Sequence, residues 1–438
     1  MEQSAAGKLR ADNRGIAMLL EFRVSNHRSI REEQVLTTKA VANLGGPDDL
    51  RPRNIVGIDG SYLPAIAIYG ANASGKSNVL SAILFMQEAV LSSHRLWEPD
   101  SGVPRECFAW GNSEEGSIFE VDFTLDGTRY RYGFDVDDNR IREEWLFSYL
   151  NGNQQMWFQR EGKEFEFGKQ FEEARSYVSM TGSNSLFLSA SSQNRNQKMF
   201  PIYTWFRSIS AINMRQRTTL SHRWGHGSSR MATLLSVSAE KLTPKQRNLV
   251  ERFRTLLRVS DFGVVNMKVT DSTDKKVGRH AFYLEHGVEH DDPWLPLSQE
   301  SNGTQTMFRI ALQILESLDS GSPLLFDELE TSLHPLLAIE IVNLFNDPVR
   351  NPKHAQLVFT THDSNLLGTT IGEPVLRRDQ IFLTEKDHKT GSTCAYPLTN
   401  YKPRKSENLE RGYLQGRYGA IPFLGSFAEV AIGEETTE

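Results

Sequence analysis

Apolar residues recur along this chain with two periods. Leu19–Val24 alternates apolar and polar side chains, the pattern of a strand with one buried face. Ala65–Tyr69 is continuously apolar, as in a strand covered on both sides. Gly70–Ser77 interrupts it with glycines and small polar residues, and Asn78–Leu91 then returns apolar side chains at helical spacing. Strand, glycine loop and helix in this order open a phosphate-binding α/β unit.

Three segments rich in aromatic and β-branched residues follow: Ile118–Leu125, Thr128–Val136 and Ile141–Leu150. Asp126-Gly127 and Asp137-Asp138-Asn139 separate them, which predicts an antiparallel meander. From Phe171 to Val259 the spacing is mostly helical. Phe262–Thr270 and His280–Glu285 read as strands, 301–318 as a helix, Pro323–Phe326 as a buried strand and Pro335–Phe345 as a helix. Leu357–Thr361 and Gln380–Thr384 are further buried strands. The expected division is a disordered extension (1–17), an N-terminal half with the glycine loop and the meander (18–170) and a helical basic insertion (171–260). A C-terminal half (261–400) and a Gly- and charge-rich tail (401–438) follow.

Composition narrows the class. The 438 residues are 39% hydrophobic, enough for a substantial core. The formal net charge of -6 makes contact with nucleic acid a matter of a local patch. Cys107 and Cys394 are the only cysteines and have no metal-ligand spacing, which fits a reducing cytoplasm. No apolar run approaches the roughly 18 residues that span a bilayer, so no membrane contact is expected.

The chemistry begins at Gly70-Ala71-Asn72-Ala73-Ser74-Gly75-Lys76-Ser77, which fits G-x-x-x-x-G-K-[ST] at every fixed position. Backbone N–H groups of such a loop wrap phosphate oxygens, and the helix after it adds its positive N-terminal end. Gly70, Asn72, Ala73, Ser74, Gly75, Lys76 and Ser77, with Asn78 opening the helix, form the expected ATP cradle. Lys76 brings a charge to the β/γ-phosphates and Ser77 a hydroxyl to Mg²⁺. Pro323–Phe326 ends in Asp327 and Glu328, and acids at the end of a buried parallel strand lie in the ligand crevice. Asp327 is the expected Mg²⁺ residue and Glu328 the base that polarises the attacking water.

Ser301-Asn302-Gly303-Thr304-Gln305 resembles the signature Leu-Ser-Gly-Gly-Gln of ABC ATPases, with Ser301, Gly303 and Gln305 matching and Asn302 in place of the first glycine. Glu330-Thr331-Ser332-Leu333-His334-Pro335 resembles the D-loop of the SMC- and RecF-like branch, and Leu357–His362 its switch-histidine strand. Asn26-His27-Arg28-Ser29 resembles the N-x-[RK]-S motif near the start of such ATPases. The resemblance implies a P-loop α/β core with a mixed sheet, and a homodimer that sandwiches ATP. Ser301, Gly303, Gln305 and Ser332 would face the partner's nucleotide, His362 its γ-phosphate, and Arg28 the phosphates of its own site. It leaves the Q-loop glutamine open between Gln193 and Gln197.

The segment between Ser77 and Ser301 is long for a transporter subunit and too short for an SMC arm. Its meander and helical block, and the ending Gly416-Arg417-Tyr418-Gly419-Ala420-Ile421-Pro422, look like stand-alone ATPases of bacterial abortive-infection and antiphage systems. That implies regulation of a separately encoded nuclease; the alternative is a RecF-like repair ATPase with DNA as its direct ligand. Residues 195–258 carry thirteen lysines and arginines against two acids, with Arg215, Arg217 and Arg223 close to Trp224. With Trp205, Phe206 and Trp224 interleaved among these charges, the segment reads as a nucleic-acid surface, a docking face for an acidic partner, or a solvated helical face.

Overall fold

The computed structural model describes residues 16–46, 48–150, 152–214, 226–237, 239–260, 262–271, 280–368, 374–404 and 407–422. Of the features read from sequence, residues 1–15, Arg215, Arg217, Arg223, Trp224 and 423–438 lie outside them.

The centre is a six-stranded sheet in the order Ser210–Ile212, Pro323–Phe326, Gln356–Thr360, Ala65–Gly70, Ile381–Lys386, Thr393–Pro397. All neighbours run parallel except the last strand, which turns back antiparallel. Each apolar run is buried on both faces, as the uninterrupted Val, Ile, Leu and Phe content requires. Alternate residues feed two cores. Ala65, Ala67, Tyr69, Leu324 and Phe359 face one; Ile66, Ile68, Leu325, Val358 and Phe382 face the other.

A seven-stranded antiparallel sheet shares the second core. It holds Leu19–Ser25 between Gln34–Thr37 and Ser117–Leu125, and continues through Thr128–Val136, Ile141–Leu150, Asn153–Glu161 and Glu164–Phe167. The expected meander is thus present and two strands longer; Asn153–Glu161 starts polar and exposed, which hides its period in the sequence. The helix Lys76–Ser92 lies in the same core and packs on the helix Phe200–Ser208. On the opposite face the helices Asn302–Ser320 and Pro244–Val259 pack together above the parallel sheet. A three-stranded sheet, Val264–Asp271, His280–His286 and Trp294–Pro296, flanks them.

Three expectations change. The extension expected to end at 17 gives way to the fold by Ile16, which is buried with Met18, Leu20, Ile55 and Tyr62. The helical insertion 171–260 is not one unit. Ser210–Ile212 is an edge strand of the parallel sheet in register with Leu324–Phe326, and three residues are too few to show a period. Helices before it join the core around the glycine-loop helix, and those after it join the core around Asn302–Ser320. The tail also belongs to the fold as far as Pro422. Leu409–Leu414 is a helix, and Tyr413, Tyr418 and Ala420 are buried. Among the described residues no helix is long and apolar enough to cross a membrane.

Glu144 ties the meander to the helical segment after it. Its carboxylate accepts from the N–H groups of Phe187 and Leu188 at 2.6 and 3.0 Å and from the Tyr132 hydroxyl at 3.0 Å. The Arg160 guanidinium lies 3.7 Å away and is also almost fully buried. Removing one member of such a pair leaves the other charge buried and uncompensated. Glu144→Ala is expected to lower the unfolding free energy by about 3–5 kcal/mol, read from urea denaturation; a loss below about 1 kcal/mol would assign this pair the weight of a surface ion pair.

Candidate functional site

Parallel pairing brings four sequence-distant segments to one edge. Ile68 is paired with Thr360, Phe326 with Phe359, and Gly70 with Thr384, so the strands end together at the C-terminal edge of the sheet. The glycine loop leaves that edge and enters the helix at Lys76. Gly75 has φ 106°, which favours glycine, and a Cβ there would stand 2.1 Å from Thr393 Oγ1. Ala73 also has positive φ, at 62°. Asn72 and Ala73 are exposed at the tip, whereas Ser74 and Lys76 are buried.

The loop is held from behind by hydroxyls. Thr393 Oγ1 donates to the Ser74 carbonyl at 2.8 Å and lies 2.7 Å from Ser29 Oγ. Ser74 Oγ is 2.7 Å from Thr384 Oγ1, which donates to the Tyr69 carbonyl. Asn78 Nδ2 donates to Ser29 Oγ at 2.6 Å. Sequence reading missed Thr384 and Thr393, since a threonine in a strand carries no signal of its own. Ser29 stands out in the sequence only as the last residue of the Asn26–Ser29 motif.

Lys76 Nζ donates to the Gly70 and Ala71 carbonyls at 2.9 and 3.0 Å. Burial pulls its pKa down to about 8, against the opposing pull of Asp327, Glu328 and Glu330. Ser77 Oγ donates to Asp327 Oδ1 at 2.8 Å, and Thr360 Oγ1 donates to the same oxygen at 2.7 Å. The Glu328 N–H donates to Thr360 Oγ1 at 2.7 Å, and Glu328 has φ 55°, a left-handed conformation that is costly outside glycine. Its exposed carboxylate accepts from Thr331 Oγ1 at 3.1 Å.

His362 lies two residues beyond Thr360. Its N–H donates to Glu330 Oε1 at 2.6 Å. The residue is exposed. Partial burial, and then the charge of Lys76, lower its pKa, so the imidazole is mainly neutral at pH 7. Glu330 thereby fixes the backbone that carries His362, a role the sequence did not reveal.

Ser301 is the N-cap of Asn302–Ser320, its Oγ accepting from the Thr304 N–H at 3.1 Å. Gln305 Nε2 donates to the Glu300 carbonyl at 2.9 Å. A Cβ on Gly303 would lie 3.1 Å from the Ser332 carbonyl, so the turn 301–305 and the segment 330–335 form one surface, on which Ser301, Asn302 and Ser332 are exposed. Among the described residues no hydrogen bond joins 301–305 to the glycine loop. Arg28 is held by Glu106 through its Nε and its backbone N–H, one residue from the Ser29 contact.

Gln193 donates to the Leu91 carbonyl and to Ser189 Oγ. Leu91 is near the far end of the loop's helix, roughly 20 Å from its start at 1.5 Å per residue, so Gln193 is remote from the phosphate cradle. Gln197 is exposed. Asn213, which the sequence did not flag, stands at the end of the edge strand with Nδ2 donating to the Asp327 carbonyl at 3.2 Å. Within the basic segment, Lys198 pairs with Glu173, Arg252 with Asp319 and Arg254 with Glu251. These three are surface charges offset by neighbouring acids, which favours the solvated-face reading for them.

The family model described as "AAA domain, putative AbiEii toxin, Type IV TA system" matches residues 65–368. The chain belongs to this AAA family. The match starts on the strand before the glycine loop and ends just past His362, so it contains Lys76, Ser77, Asp327, Glu328, Thr360 and His362 and leaves out Arg28, the bracing hydroxyls of Ser29, Thr384 and Thr393, and the tail. By family the chain is a P-loop ATPase. No curated protein matches it. Among solved structures it is similar to an SMC head domain from Thermotoga maritima, at 14% identity over 86% of this chain and 98% of that one, with a TM-score of 0.38. It is also similar to an Smc head domain with an extended coiled coil, bound to the C-terminal domain of ScpA, from Pyrococcus furiosus, at 11% identity over 88% and 98%, TM-score 0.40. An Smc head domain with a coiled coil and joint from Pyrococcus yayanosii is similar at 9% identity over 92% and 100%, TM-score 0.43.

The Lys76 environment gives this AAA-family site a pH signature. A lysine with pKa about 8 is mostly protonated at pH 7 and mostly neutral at pH 9. Phosphate binding favours the charged form, so affinity for ATP is expected to fall by about tenfold from pH 7 to pH 9, with proton uptake on binding near pH 8. Calorimetric titration in buffers of different ionisation enthalpy measures both; equal affinity at the two pH values with no proton uptake would exclude a titrating Lys76 from phosphate binding.

Proposed function

We propose that this chain binds and hydrolyses Mg-ATP between two copies of itself, and that the ATP-closed dimer regulates a separately encoded nuclease in an antiphage-defence system. The observation that carries the ATPase part is the convergence of Ser77, Thr360 and Asp327 within 2.8 Å beside Lys76, with Glu328 and His362 at the rim. A hydroxyl and a carboxylate at this spacing fit Mg²⁺, which keeps several waters and takes the rest of its ligands from phosphate. The bound ion would neutralise phosphate charge. The chain's own residues do the remainder: the loop N–H groups and Lys76 hold the phosphates, and Glu328 orients and polarises the attacking water. The neutral His362 donates to the γ-phosphate.

The dimer is supported by the shared exposed surface of Ser301, Asn302 and Ser332, which makes no hydrogen bond with the chain's own glycine loop. Here a helix N-terminus meets a turn with Ser332 at φ 62°, and it is suited to a γ-phosphate carried by another copy. Closure of this kind works as a switch when ATP favours the closed state by a few kcal/mol. The defence assignment is supported by the family description, which names a putative toxin of a toxin–antitoxin system.

Glu328→Gln is expected to keep ATP bound, cut turnover by about 10²–10⁴-fold and accumulate a dimer in light scattering with Mg-ATP. Lys76→Ala is expected to stay monomeric and unliganded. Hydrolysis by Glu328→Gln at the wild-type rate would remove Glu328 from its role, and a mass indifferent to ATP would remove the sandwich. Co-purification of the Glu328→Gln dimer with the product of the adjacent gene tests the regulatory part; an adjacent product without nuclease activity would overturn it.

A further inference from the structure

Trp110 is 69% exposed, and among the described residues it is the only tryptophan outside partial or full burial. A single exposed aromatic needs no explanation. What distinguishes this one is the rigidity of its loop and its position.

The loop around it is braced at both ends. The buried Arg105 guanidinium donates to the carbonyls of Ser113, Glu115 and Val136 and to Ser117 Oγ, and pairs with Asp138. The Phe108 N–H donates to Asn26 Oδ1 at 2.8 Å, while Asn26 Nδ2 donates to the carbonyls of Glu115 and Gly116. Phe108 itself is buried and meets the Trp110 ring edge-on, with centroids 5.7 Å apart. The structure therefore holds the indole outward on a fixed base.

Its position is set by the parallel sheet. Thr384 pairs with Gly70, so Lys386, two residues later, projects past the same C-terminal edge from which the glycine loop leaves. Lys386 Nζ lies 5.7 Å from the Trp110 ring centroid. The hairpin then turns through Gly391, where φ is +72° and a Cβ would stand 2.2 Å from Trp110 Cζ3. Two residues on, Thr393 is the side chain that packs on Gly75 and holds Ser74. Two residues of chain span at most about 7 Å, so the indole stands beside the mouth of the phosphate loop, on the side of Arg28 and Ser29.

We propose that Trp110 is the platform on which the base of the bound nucleotide stacks, with the P-loop holding the phosphates of the same molecule. The inference rests on the nucleotide reading of that loop. Stacking on an aromatic face needs only a π-surface, so it accepts any purine nucleotide rather than selecting adenine by hydrogen bonds. A pre-positioned indole loses little side-chain entropy on binding, which is the advantage of bracing the loop.

The test compares ATP with inorganic tripolyphosphate, which has no base, by calorimetric titration of wild type, Trp110→Ala, Trp110→Phe and Lys76→Ala in the full chain. Trp110→Ala is expected to weaken ATP binding by about tenfold and to leave tripolyphosphate binding unchanged, while Trp110→Phe stays within about threefold of wild type for both. Unchanged ATP affinity in Trp110→Ala would overturn the platform. Equal losses for ATP and tripolyphosphate would also overturn it, because they would report collapse of the loop. Lys76→Ala separates the two readings: loss of both ligands shows that the P-loop holds phosphate whatever Trp110 does, and wild-type affinity there would sink the nucleotide reading and this one with it.

Discussion

The in-register parallel pairing of Ala65–Gly70 with Gln356–Thr360, and of Gln356–Thr360 with Pro323–Phe326, aligns the strand ends that carry the site. It places Ser77 within a hydrogen bond of Asp327, 250 residues away, and Thr360 within a hydrogen bond of the same carboxylate. A slip of one residue would exchange the two faces of the strand that slipped. Because each face feeds a different core, the slip would also exchange Ala65, Ala67 and Tyr69 with Ile66 and Ile68. The register is thus enforced by apolar packing, and the polar site at the strand ends inherits that accuracy.

Around this edge the polar groups are arranged so that each backbone liberty has a partner. Gly75 can take its positive φ because it has no Cβ, and Thr393 fills the space a Cβ would need and bonds the adjacent Ser74 carbonyl. Glu328 is held left-handed while its N–H is taken by Thr360. Glu330 spends one carboxylate oxygen on the backbone of His362. Lys76 is desolvated among three acids, which keeps its charge available near neutral pH and reduces it above about pH 8. Ala73, Glu328 and Ser332, which line or border the site, are among the non-glycine residues held at positive φ.

The tail extends the same logic. Tyr413 packs edge-on against Tyr69, the residue before the glycine loop, at 5.5 Å. Tyr69 in turn donates to the Asp363 carbonyl, and Glu410 accepts from Ser364. The helix Leu409–Leu414 therefore spans the segment after His362 and the start of the phosphate loop. A stretch that reads as Gly-rich tail in composition is structurally part of the core edge.

The pieces whose chemistry is local are readable from residue order alone. Gly70–Ser77, the apolar run before Asp327 and Glu328, and the cap at Ser301 follow from residue type and spacing, because a glycine loop, a buried strand and a helix start each carry their cause within a few residues. The meander was legible for the same reason, except for Asn153–Glu161, whose exposed polar start has no period to read. Features that depend on distant partners emerge with the packed fold. That Ser210–Ile212 is a sheet strand, that Thr360, Thr384, Thr393 and Glu330 brace the site, that Gln193 belongs to the far end of the helix, and that Trp110 faces outward beside Gly391 all follow from packing between segments. A threonine in a strand or a tryptophan in a loop reads the same in sequence whatever it faces. Its role is fixed by which strand lies beside it, and that is set by the summed burial of two cores rather than by any local preference.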